Sequence, residues 1–130
     1  MTKIKAILID PFACEVKHVE ITRGELSDYY KALSHPTMPV DLVTAVYPGT
    51  LKGRDALFVD DEGLLKEPER LFALAGAHQP FAGKGLIVGA DADGESVSAE
   101  TSIDLVRLST MYLTYHDGWV QTVTPWEPKP

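Results

Sequence analysis

The chain has 130 residues, 45% of them hydrophobic, and a net charge of −7 from 19 acidic and 12 basic side chains. This length suits one domain with a self-sufficient core. Lys and Arg are not clustered, which argues against direct binding to nucleic-acid phosphates, and no apolar run reaches the ~18 residues that span a bilayer.

Lys3 to Ile9 alternates and then runs apolar, as a central strand does. Asp10-Pro11 stops it, and Val16 to Ile21 reads as the second strand of a hairpin with one wet face. Thr22-Arg23-Gly24-Glu25 has the form of a capping box. Leu26, Tyr29, Tyr30 and Leu33 then fall on one face of a helix that Ser34-His35-Pro36 ends. Val40 to Val46 and Ala56 to Asp60 are strand-like, with a Gly- and Pro-punctuated loop between them.

Asp61-Glu62-Gly63 is a turn. Pro68 suits the first turn of a helix, Leu71, Phe72, Leu74 and Ala75 give it an apolar stripe, and Gly76 ends it. Lys84 to Ala90 is a second strongly apolar strand, followed by a turn at Asp91-Ala92-Asp93-Gly94. Thr101-Ser102-Ile103-Asp104 opens a short helix to about Ser109. Thr110 to His116 and Trp119 to Val123 flank the hairpin signal Asp117-Gly118, with one long helix as the alternative. The expected fold is a single α+β domain over residues 1–124. It has a mixed or antiparallel sheet of about five or six strands with two or three helices, and a Pro-rich tail over 125–130.

No catalytic constellation stands out. Asp60 and Asp61 with Glu62, and Asp91 and Asp93 with Glu95, are candidate ligands for a hard divalent cation, because carboxylates close in space bind such ions. Each group also reads as ordinary turn chemistry. The calcium-loop pattern fails, since the twelfth position from Asp91 is Ser102. His78, Gln79, Phe81, Gly83 and Lys84 form a candidate ligand-binding loop, where backbone amides could receive an anion. It is not a Walker A loop: Gly85 follows Lys84, and a strand comes next. Cys14 is the lone cysteine, so there is no intrachain disulfide, and it reads as a half-buried thiol. The four histidines lack zinc-ligand spacing, and no cofactor is expected.

Three segments, L-I-D-P-F at Leu8 to Phe12, A-L-F-V-D-D-E-G-L-L-K at Ala56 to Lys66, and Q-P-F-A-G-K-G-L-I-V-G at Gln79 to Gly89, carry a resemblance. The chain resembles an uncharacterised family of small phage- and plasmid-borne bacterial proteins. The resemblance implies a mobile-element accessory protein and brings no known catalytic residues. The expectation is a cytoplasmic, non-enzymatic protein that binds a host protein with a basic surface, in an anti-defence or regulatory role. The alternatives are a small-ligand or nucleotide-sequestering protein, taking a small anionic ligand, and a divalent-metal-dependent hydrolase.

Overall fold

A computed structural model describes residues 2–116 and 119–123. In chain order the elements are β1 (Lys3–Asp10), β2 (Glu15–Thr22), α1 (Leu26–Leu33), β3 (Val43–Val46), β4 (Ala56–Asp60), a 3-10 turn (Gly63–Lys66) and β5 (Arg70–Leu74). They continue with β6 (Phe81–Ala82), β7 (Gly85–Ala90), β8 (Ser96–Val97), α2 (Ile103–Ser109), β9 (Thr110–His116) and β10 (Trp119–Val123). The first sheet runs β2-β1-β7-β4-β3, with β8 paired to the end of β7, and the second runs β10-β9-β5-β6. Every pairing among the described residues is antiparallel. The architecture is α+β as expected, but the described residues hold ten strands rather than five or six, and these form two sheets rather than one.

The apolar runs of β1 and β7 follow from cover on both faces of the first sheet. Successive strand residues point to opposite faces. Ile7, Ile9, Leu57, Val59 and Ile87 enter the core shared with Phe72, Leu74 and Phe81 of the second sheet and Val106 of α2. Ile4, Ala6, Leu8, Leu86 and Val88 face the other way, onto Tyr29 and Leu33 of α1. A third cluster covers the outer face of the second sheet, where Leu71, Ala82 and Leu113 meet Met38 and Phe12.

Three local expectations are corrected. The helix expected after Pro68 is strand β5. Phe72 and Leu74 point into the main core and Leu71 and Ala73 into the outer cluster, so the segment has period two, and the stretch before Gly76 is too short for a stable helix. Among the described residues two helices remain, with the 3-10 turn before β5. The capping box at Thr22 does not form. Thr22 still pairs with Lys3 in the first sheet, and its Oγ1 accepts from Lys3 Nζ at 2.8 Å. Glu25 occupies the N-cap with no side-chain cap; instead Thr22 N–H donates to Asp28 Oδ2 at 2.8 Å. The strand expected from Val40 begins at Val43, because Val40 N–H donates to Ser34 Oγ at 2.9 Å.

At α2 the helix forms as expected, capped by Ser102, whose side chain accepts from Asp104 N–H at 3.2 Å. Strands β9 and β10 pair, so a hairpin rather than one long helix follows α2. Its Asp117-Gly118 turn, and the Pro-rich tail, lie outside the described residues.

Candidate functional site

The two acidic groups sit at opposite ends of the first sheet. Pairing of Phe58 with Leu86 and Ala56 with Val88 puts Asp60 near Lys84 and Asp91 past the far end of β7. The separation is roughly seven strand residues, or ~23 Å. Asp60 is buried; its Oδ1 accepts from Glu62 N–H at 2.9 Å and its Oδ2 from Lys66 Nζ at 2.7 Å. Asp91 organises its own turn, with Oδ1 accepting from Asp93 N–H at 2.9 Å and Glu95 N–H at 3.0 Å. Arg23 bridges Asp91 and Glu95. Asp61 and Asp93 are exposed. Among the described residues no three His, Cys, Asp or Glu side chains gather into a metal-holding group.

The candidate loop is divided by its own corner. His78, Gln79 and Phe81 border a hollow of about 340 Å³ with Val46, Tyr47 and Pro48. His78 and Gln79 are exposed, whereas Phe81 is buried against Phe72. At Gly83, with φ at +74°, the chain turns away, and a Cβ there would meet Met38 Sδ at 2.9 Å. Lys84 is therefore carried to the end of β1, where its Nζ lies 3.8 Å from Asp10 Oδ2 and its side chain is largely buried. The glycines serve the corner and the packing.

A further hollow was not legible in any local motif. It measures about 720 Å³ and opens between β2, α2, β9 and β10. Cys14, Val16, Arg107, Met111, Tyr112 and Val123 supply most of its wall. Cys14 sits in the β1–β2 turn with φ at +53°, a left-handed conformation uncommon outside glycine. Its Sγ donates to Pro11 O and accepts from Arg70 Nη1, both at 3.7 Å. Arg107 crosses from α2 to the hairpin, where its Nε and Nη2 donate to Val16 O at 3.2 and 3.1 Å. The Tyr112 ring joins the main core, but its hydroxyl makes no hydrogen bond among the described residues. Burial, and then the neighbouring Cys14, Glu15 and Asp10, push that phenol up to about 12. Cys14 and Tyr112 are nearly a hundred residues apart, so sequence spacing carries no sign of their meeting.

Beside this hollow the chain exposes apolar side chains. Leu108 on α2 and Met111, Tyr115, Trp119 and Val120 on the hairpin face outward, with Leu108 87% and Trp119 74% exposed. Tyr115 and Val120 are direct cross-strand partners. Among the described residues strand β10 is the edge of its sheet. No helix of the described residues is long and apolar enough to cross a membrane.

Among the described residues, two antiparallel sheets packed on a shared main core, two short helices and a cleft define a small α+β domain. The chain belongs to the family described as a domain of unknown function, DUF3846, whose model matches residues 4–113. No curated protein and no solved structure matches it. The family match contains all three segments read from the sequence and ends within β9.

Proposed function

We propose that this protein is a non-enzymatic binding protein that receives an extended segment of a partner protein along the free edge of β10. The observation that carries the reading is the combination of an edge strand with an apolar, charge-free surface. Exposed edge strands are ordinarily protected by charges, Pro or bulges, because their free N–H and C=O groups recruit another strand. From Trp119 to Val123 there is no charged residue; Val120, Tyr115 and Met111 lie exposed on one face beside the edge and Trp119 on the other. Strand addition would supply main-chain hydrogen bonds for affinity and side-chain contacts for selectivity. The net charge of −7 favours a partner whose segment is flanked by basic residues.

With the resemblance to phage- and plasmid-borne proteins, the reading becomes an accessory protein of a mobile element acting in the host cytoplasm on a host protein, in a regulatory or anti-defence role. The test is affinity capture from a bacterial host lysate with the wild type, Val120→Lys on the edge, and Tyr47→Lys at a distant exposed site. A host protein recovered by the wild type and Tyr47→Lys, and lost with Val120→Lys at unchanged melting temperature, is the expected result. Recovery of the same proteins by all three, or of none by the wild type, overturns the reading.

A further inference from the structure

The hollow bounded by β2, α2, β9 and β10 adjoins the exposed apolar surface beside β10, sharing Met111 with it and taking in Thr122 and Val123 of that strand, but its chemistry is different. Its volume of about 720 Å³ is in the range of small-molecule sites. The lining is mainly apolar, from Val16, Met111 and Val123. Within it, Tyr112 is 9% exposed and its hydroxyl has no hydrogen-bond partner among the described residues. Fully buried side-chain polar atoms among those residues are all paired. The unpaired phenol therefore reaches accessible space, and the hollow is the space that Tyr112 lines. A donor held this rigidly, on a ring locked into the core, selects for an acceptor placed over it.

The surrounding charges decide what kind of acceptor fits. The hydrogen bonds and ion pairs of the cations at the hollow run to the protein itself: Arg107 to Val16 O and Asp104, and Lys17 to Glu15 at 3.2 Å. Burial first, and then Cys14, Glu15 and Asp10, outweigh the opposing charge of Arg107 and keep the phenol protonated far above neutral pH. An anion brought to the hydroxyl would meet the same surroundings, in which burial and the acidic neighbours outweigh the charge of Arg107. A neutral acceptor meets no such penalty.

The geometry points to a binding site for a small, mostly apolar molecule carrying an uncharged carbonyl-type oxygen, with the Tyr112 hydroxyl as the donor that recognises it. This differs from the anionic ligand anticipated at the His78–Lys84 loop and does not depend on strand addition at β10. Acetophenone, ethylbenzene and benzoate are suitable probes: similar in size, they present a neutral acceptor, no acceptor and an anionic one. Each is titrated into the isotope-labelled full chain and into Tyr112→Phe, which keeps the ring and loses only the hydroxyl. In the wild type, acetophenone shifts the amides of Cys14, Val16, Arg107, Tyr112 and Val123. It binds about fivefold tighter than ethylbenzene, the ratio expected of one net hydrogen bond, and also tighter than benzoate. In Tyr112→Phe the acetophenone-to-ethylbenzene ratio falls to about one. Absence of shifts at those amides, a ratio unchanged by the substitution, or benzoate as the tightest probe each overturns the assignment.

Discussion

Thr101 Oγ1 donates to Asp55 Oδ2 at 2.6 Å, and both residues are 3% exposed. The same carboxylate accepts from Thr101 N–H at 2.8 Å and from Glu100 N–H at 3.0 Å. Asp55 thus ties the start of α2 to the turn that leads into β4, and Lys52 N–H closes the arrangement by donating to Thr101 Oγ1 at 2.9 Å. Buried carboxylates persist where hydrogen bonds replace lost water.

Replacing Asp55 by Ala removes the acceptor and leaves two backbone donors and a hydroxyl without a partner. The expected loss is about 2–5 kcal/mol, since unsatisfied buried donors each cost on the order of 1–3 kcal/mol. Thr101→Val removes the hydroxyl alone and should cost about 1–2 kcal/mol. Urea unfolding of both variants checks the order, and equal stability of Asp55→Ala and wild type would refute the structural role.

Gly85 opens β7 at its tightest contact with the second sheet. A Cβ there would lie 2.5 Å from Phe72 Cζ and 2.9 Å from Leu57 Cδ1, and both side chains are fully buried. Neither can give way without disturbing the core between the sheets. Gly85→Ala should destabilise by about 1–3 kcal/mol, the usual cost of overpacking a close-packed interior. A double variant, Gly85→Ala with Phe72→Leu, removes the opposing ring atoms. Thermal melts should show a smaller penalty for Gly85→Ala when Phe72→Leu is already present than in the wild type. An equal penalty in both would place the strain elsewhere.

Where the apolar pattern was local, it was legible. The runs in β1 and β7, helix α1 with Tyr29 and Leu33 buried and Tyr30 partly so, and the α2–hairpin sequence after Thr101 each form as their residues indicate, whereas Leu26, expected on the same helix face, is exposed. The glycines around Lys84 were also legible as a corner. Leu71 to Leu74 was not, because its apolar residues satisfy a short helix and a strand covered on both faces equally well. Only the third core cluster, drawn from Phe12, Met38 and Leu113, provides the second cover that makes it a strand. The same limit hid the hollow: Cys14 comes from one end of the sequence and Arg107 and Tyr112 from the other, and only the packing of the hairpin turn beside α2 and β9 brings them together. Capping at Thr22 failed for a related reason, since its hydroxyl is held by Lys3 across the sheet.

Asp28 gives the fold an acid-sensitive contact. The Thr22 N–H bond to its carboxylate holds Asp28 below the ordinary value of 3.8, with smaller help from Lys3 and Lys31 against the opposing effect of desolvation. A carboxylate lowered in the folded state binds its proton more weakly there than in the unfolded chain. Its contribution to stability is therefore fully present above about pH 3.8 and is lost as pH falls through the lower folded value. Asp28→Asn keeps the shape but cannot accept as a charge. In denaturation measured from pH 6 down to pH 2, the wild type should lose more stability than Asp28→Asn, and the two curves should converge at the acid end. Parallel curves throughout would mean that the Thr22 contact does not discriminate between the two protonation states.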